Sequence, residues 1–438
     1  MPRFWSIVRQ KPARVVARTG LRTSAALPTS GTTSLDNSEG ASQGLAELLD
    51  SLDTALAQLS LEDDPRAQLT AQLEQLDWKA SSYVNSSLDF CISKEPWKCT
   101  TEMADLIMKS WLCAERVYGR DIAAPFEEAE DSCLNVQWSL PSSTNGNVKA
   151  TTLTTFVAPP PYDSYAKPTT YLIIAVRGSA STVDQLINLH GEPRDADTLF
   201  QDFDKSHSLG PTLNFQAHAG FLNSAQKLLA PVSAQIEKHL SKGQDFKIVL
   251  TGHSAGGAVA TLLHIALTIK FTSVSFSCIT FGSPPVAAVV AEEDIIAINR
   301  ILAQAPVLNI VNEYDLVPRL DRGYLRSLIK LFNSEALIFN GEESYTTKDD
   351  STRRWPLPAS DLKHVGPIVV LRTELPDLRL DNIKPSDVST RVTAWSVTSE
   401  DISSLVFCKL QVHKRKYYRE KIDQLVSGNF EDITSVTK

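Results

Sequence analysis

The chain has 438 residues, 42% of them hydrophobic and 21% charged, a balance that supports a buried core and excludes wholly disordered and collagen-like classes. No run approaches the roughly 18 to 20 apolar residues of a membrane-spanning helix, so any membrane contact is expected to be peripheral. Net charge is −8, yet six basic residues (Arg3, Arg9, Lys11, Arg14, Arg18, Arg22) precede the first acid, Asp36, leaving 37 basic against 51 acidic residues behind them. An acidic body of this kind argues against a nucleic-acid partner.

The first 43 residues are basic and rich in Ser and Thr, a composition shared by mitochondrial transit peptides and disordered tails. No apolar segment with a small-residue cleavage site opens the chain, so an intracellular, cytoplasmic location is expected. Leu45, Leu49, Leu52, Leu56 and Leu59, then Leu69, Leu73 and Leu76, step by three and four along helical faces. They predict a helical extension over residues 44–90. Six cysteines without a C-x-x-C pair or a Cys/His cluster read as reduced packing thiols and give no metal site.

From residue 91 onward the pattern is that of one α/β domain reaching the C-terminus. A helix is predicted near Glu102 to Tyr118 and strands over Val148 to Val157 and Tyr171 to Val176. Continuous apolar runs follow at Phe246 to Thr251, Val274 to Phe281 and Val307 to Val311. Helical stretches near Asn223 to Leu240, Gly256 to Ile269 and Glu292 to Ala303 separate them. Doubly buried strands alternating with helices predict a mostly parallel sheet with helices on both faces.

The strongest chemical signal is Gly252-His253-Ser254-Ala255-Gly256-Gly257, a G-x-S-x-G match where a strand meets a helix. A serine on so tight a turn is held in strained backbone geometry with its hydroxyl above the sheet edge, and the glycines avoid collisions between strand and helix. The amide of Ala255 opens the helix, so its N–H and the helix dipole can stabilise an oxyanion.

Five further landmarks stand in order around this elbow. They are Arg177-Gly178-Ser179, His218-Ala219-Gly220-Phe221, Thr280-Phe281-Gly282-Ser283-Pro284-Pro285, Asn312-Glu313-Tyr314-Asp315-Leu316-Val317-Pro318 and His364-Val365-Gly366. Together they resemble the class 3 (fungal lipase-like) α/β-hydrolases from about Tyr171 to Leu425. The resemblance implies an α/β-hydrolase fold over residues 91–438, Ser179 as a second oxyanion donor beside Ala255, and a lid in Thr182 to Leu189.

A serine at its free pKa needs a histidine to remove its proton and a carboxylate to orient that histidine. Asp315 ends an apolar strand and follows the serine, as hydrolase chain order requires; a simple turn aspartate is the competing reading. Only His364 and His413 follow Asp315, and sequence chemistry alone does not choose between them. In the resembled family the base comes late, close before an aromatic and near the C-terminal helix, which favours His413. His253 is expected to pack or to donate a structural hydrogen bond. The expected activity is cleavage of acyl-lipid esters at a membrane or lipid-droplet surface, with no metal or organic cofactor. A non-lipid carboxylesterase and a non-catalytic interaction protein on the same scaffold are the rival readings.

Overall fold

The computed structural model describes residues 74–126, 133–143, 149–160, 167–178, 193–200, 216–288, 298, 301–334, 353–374 and 391–427. Among the described residues nine strands form the main sheet: β1 (Glu95–Pro96), β2 (Asn135–Leu140), β3 (Thr151–Ala158), β4 (Thr169–Val176), β7 (Phe246–His253), β8 (Ser275–Phe281), β10 (Val307–Asn312), β11 (Ile368–Glu374) and β12 (Arg391–Val397). Three short strands, β5 (Pro193–Asp195), β6 (Gln216–His218) and β9 (Ala287–Ala288), pair antiparallel beside it. The main order is β1-β12-β11-β10-β8-β7-β4-β3-β2. Its centre, β11-β10-β8-β7-β4, is parallel, and both margins are antiparallel.

The apolar runs produce this layering through the two-residue period of a strand. In β4, Leu172, Ile174 and Val176 enter one core with α2 (Ala219–Leu240), α3 (Ala255–Lys270) and α4 (Arg322–Asn333). Ile173 and Ala175 enter the other, with α1 (Thr101–Arg116) and α6 (Arg415–Ser427). Helix α3 is buried along nearly its whole length, which explains why its sequence carries an apolar run and little amphipathic period. Short polar signals fix the helix starts. Thr100 accepts from the Met103 amide to begin α1, Asp321 accepts from Tyr324 to begin α4, and Thr398 and Asp401 form a capping box on α5 (Ser399–Ser403).

The described part of the expected helical extension, residues 74–90, packs into this body. Leu76, Ala80 and Tyr83 join the core beside α2, α3 and α4. The Lys79 ammonium donates to the carbonyls of Phe332 and Ser334 at the end of α4, and the Asn85 amide donates to the carbonyls of Trp355 and Ser404. The leucine face of residues 45–73, the first 43 residues, Ser179 and the segment Thr182 to Leu189 lie outside the described residues. Of the helix expected near Glu292 to Ala303, residues 298 and 301–303 are described as helical. Among the described residues no helix is long and apolar enough to cross a membrane.

Buried histidines give this core an acid-sensitive stability. His264 Nε2 donates to the Ala305 carbonyl and His364 Nε2 to that of Pro318, and burial pushes each imidazole down to about 4. The unfolded chain, with histidines near 6.5, binds more protons between those values, so stability is complete above about pH 6.5 and falls as the pH drops towards 4. At pH 5 each group is expected to have removed about 2 kcal/mol. The urea midpoint at pH 5 should therefore lie well below that at pH 7, and equal midpoints would refute the account.

Candidate active site

The elbow forms where β7 turns into α3. Ser254 has φ 61° and ψ −135°, a conformation that side chains rarely occupy and that aims its hydroxyl out of the turn. Its amide donates to the Phe281 carbonyl at 2.8 Å, fixing the turn to β8. The two faces of the turn are closed by glycine. A Cβ on Gly252 would lie 2.4 Å from the Gly256 carbonyl carbon, and one on Gly256 would lie 2.2 Å from the Val176 carbonyl oxygen. Gly256 thereby sets the first turn of α3 directly on the Arg177-Gly178 backbone at the end of β4. Ala255 occupies the first helical position after Ser254, where an N–H has no intrahelical acceptor.

Asp315 follows β10 through a turn in which Tyr314 has φ 70°. Its Oδ1 accepts from the Val317 amide at 2.9 Å, and its Oδ2 accepts from His413 Nδ1 at 2.8 Å and from the Tyr418 hydroxyl at 2.7 Å. His413 Nε2 lies 2.9 Å from Ser254 Oγ. Serine, imidazole and carboxylate thus form one buried, continuous chain. With Nδ1–H directed to the carboxylate, Nε2 presents its lone pair to the serine hydroxyl. His413 sits in a short 3-10 turn, Gln411–His413, tied to the acid turn by two long-range bonds. Asn312 Nδ2 donates to the Val412 carbonyl at 2.9 Å, and the Lys409 amide donates to the Tyr314 carbonyl at 2.9 Å.

The structure does not bring His364 to this chain. Its Nε2 meets the Pro318 carbonyl at 2.7 Å, where it braces the Val317–Arg319 turn that follows Asp315. His253 points to the other side of the elbow. Its Nε2 must carry the proton, since it meets the His413 carbonyl at 3.0 Å, and its ring stacks on that of His413 with centroids 4.6 Å apart. Burial, with His413 beside it, holds its pKa well below the ordinary range, so this imidazole stays neutral as a support for the neighbouring ring.

Two tyrosines complete the setting. The Tyr418 hydroxyl accepts from the Asn312 amide at 3.0 Å while donating to Asp315, and burial raises its pKa well above 10. Gly282, with φ 57°, leaves the space it needs, since a Cβ there would stand 2.7 Å from that hydroxyl. Trp111 of α1 stacks on Tyr418 at 5.8 Å and meets Phe281 edge-on at 5.0 Å. The Tyr118 hydroxyl accepts from the Gly178 amide at 3.0 Å and lies 3.2 Å from the His253 carbonyl. Tyr418 stands on α6 one turn after the histidine, so the aromatic that marks His413 in the sequence also supports the acid. Tyr118 carries no sequence signal, because only the tertiary fold brings the end of α1 to the elbow.

Tyr418→Phe keeps the ring and removes the hydroxyl, leaving the buried Asn312 amide unpaired and Asp315 one donor short. A loss of about 1–3 kcal/mol in stability is expected, together with a fall of about tenfold in kcat. Urea unfolding and ester turnover on the same preparation check both, and an unchanged kcat would show that Val317 and His413 hold Asp315 unaided.

A strained serine at a strand-to-helix turn, an acid after a later strand of a centrally parallel sheet and a histidine from a 3-10 turn before the last helix are the arrangement of the α/β-hydrolase fold. Residues 173–323 match the family described as lipase (class 3). A secreted mono- and diacylglycerol lipase of Fusarium solani is 28% identical over 115 residues, which are 26% of this chain and 30% of that protein. The match therefore spans less than a third of that curated relative. Among solved structures, Rhizomucor miehei lipase in its propeptide complex has 18% identity and a TM-score of 0.44, over 74% of this chain and 82% of its own. A nonglycosylated lipase of Yarrowia lipolytica has 17% identity and a TM-score of 0.45, over 73% and 91%.

Proposed function

We propose that this protein is a serine hydrolase that cleaves carboxylic esters of acyl lipids through an acyl-enzyme. The observation that carries the reading is the hydrogen-bonded chain Ser254–His413–Asp315, with links of 2.9 and 2.8 Å. In this reading Ser254 Oγ attacks the ester carbonyl as His413 Nε2 takes its proton, and Asp315 steadies the imidazolium that forms. The Ala255 amide at the start of α3 and the Ser179 amide receive the developing oxyanion. His413 then returns the proton to the departing alcohol. Water, deprotonated by the same nitrogen, releases the fatty acid and restores Ser254.

The lipid character of the ester draws on the Fusarium relative, a mono- and diacylglycerol lipase, because a triad fixes the reaction and leaves the acyl chain open. A fluorophosphonate is expected to label the purified protein, which releases fatty acid from emulsified diacylglycerol, and the Ser254→Ala variant should lose both properties. Cleavage of short soluble esters alone would assign a non-lipid carboxylesterase. A folded wild-type protein with neither property would assign a non-catalytic scaffold.

A further inference from the structure

Two arginines from different parts of the chain lie against one ring beside the elbow. Arg177 immediately precedes Gly178, the residue whose amide binds Tyr118. Arg415 stands two residues after His413, at the start of α6. The guanidinium carbon of Arg177 lies 5.5 Å from the Tyr118 ring centroid and that of Arg415 lies 4.4 Å from it. Both side chains are half-buried. The Tyr118 hydroxyl beneath them touches the backbone of His253, next to Ser254 in the chain.

Among the described residues Tyr118 is the one ring with two guanidinium groups over it, and three arginines elsewhere are held by carboxylates. Arg319 meets Asp321, Arg372 meets Glu313 and Asp89, and Arg419 meets Asp423 and Glu115. Among the described residues neither Arg177 nor Arg415 has a carboxylate partner, although acids outnumber bases in the chain. Exposed Lys414 and Lys416 flank Arg415 and add to the same potential. Two like charges on one partly desolvated ring gain only a modest cation–π attraction, whereas a phosphate would accept from both planar forks at once.

We propose that Arg177 and Arg415, juxtaposed over Tyr118 beside the elbow, bind the anionic phosphate of the substrate's head group, so that the preferred substrate is a glycerophospholipid and not a neutral acylglycerol. The inference rests on the hydrolase reading and specifies its substrate. Ser254 Oγ bonds to the acyl carbon as the acyl–oxygen bond to glycerol breaks, and the serine proton passes through His413 to the glycerol oxygen. Water then cleaves the acyl–serine bond and returns a proton to Ser254. The products are one fatty acid and one lysophospholipid, with the phosphate untouched.

The test compares phosphatidylglycerol and diacylglycerol with identical acyl chains in neutral detergent micelles, for the wild type and for Arg415→Gln and the Arg177→Gln/Arg415→Gln double variant. A third arm presents diacylglycerol in micelles doped with ether-linked, non-hydrolysable phosphatidylglycerol. The wild type is expected to favour phosphatidylglycerol by about tenfold in kcat/KM, through KM, since a charge-assisted contact is worth about that factor. The preference should shrink in Arg415→Gln and vanish in the double variant, and doping should not reproduce it. Equal or better turnover of diacylglycerol by the wild type overturns the proposal, as does a preference that survives both substitutions. Diacylglycerol turnover rising to the phospholipid rate on doping overturns it too, by assigning the arginines to the lipid surface. Absence of turnover on every ester, with no fluorophosphonate labelling, is a separate result that removes the hydrolase reading itself.

Discussion

His413→Ala is expected to lower kcat on any ester by about 10⁴-fold or more, whereas His364→Ala should leave the rate per folded molecule within a few-fold of wild type. The contrast follows from what each imidazole touches. His413 Nε2 is 2.9 Å from Ser254 Oγ, so its removal leaves the hydroxyl with no acceptor for its proton, and an alcohol at neutral pH is a poor nucleophile. His364 Nε2 is engaged by the Pro318 carbonyl, three residues beyond the acid, and its loss leaves one buried carbonyl unpaired. That should appear as about 1–3 kcal/mol of stability, read from urea unfolding, and not as lost chemistry. Ser254→Ala should match His413→Ala in severity, and combining the two should add little, because members of one proton-transfer unit fail together. A dead His364→Ala protein with native unfolding behaviour, beside an active His413→Ala protein, would reverse the assignment of the base.

How much of this was legible depended on whether neighbours in the chain are also neighbours in space. The elbow was, because a continuous apolar strand, a G-x-S-x-G turn and an apolar helix are consecutive, and the strain at Ser254 is a local property of that turn. The parallel centre of the sheet was legible for the same reason: β7, β8 and β10 are each buried on both faces and read as unbroken apolar runs. The margins were not. β12, Arg-Val-Thr-Ala-Trp-Ser-Val, is only partly buried and follows a long stretch without pattern, and α4 was passed over although Asp321 caps it and its apolar period is strong. The choice between histidines lay beyond local reasoning. His413 reaches Asp315 because Asn312 and Tyr314 hold residues about a hundred positions downstream, and no residue near His413 records those bonds. Tyr118, with its two arginines, belongs to the same category.

Gly256→Ala is expected to damage both the fold and the activity of the protein. The added Cβ would lie 2.2 Å from the Val176 carbonyl oxygen and 2.8 Å from both the Arg177 carbonyl carbon and the Gly178 nitrogen. All three are backbone atoms of β4 and the turn after it, so no side-chain rotation relieves the clash. Either α3 lifts from the sheet, which uncovers a helix buried along nearly all its length, or the end of β4 moves with the turn that carries Arg177 and Gly178. Overpacking of this kind costs about 1–3 kcal/mol and more when backbone must shift. A displacement of about 1 Å in catalytic geometry costs about 10²-fold in rate, so both stability and kcat should fall. Gly243→Ala is the natural control. Gly243 also lacks a side chain and has φ 67°, but nothing lies within 4 Å of its would-be Cβ, so only about 1–2 kcal/mol of backbone strain is expected and kcat should not change. Thermal unfolding and ester turnover of the two variants separate steric closure at the elbow from the general loss of a glycine. If Gly256→Ala matched Gly243→Ala in both measurements, the turn after β4 would not be seated on α3.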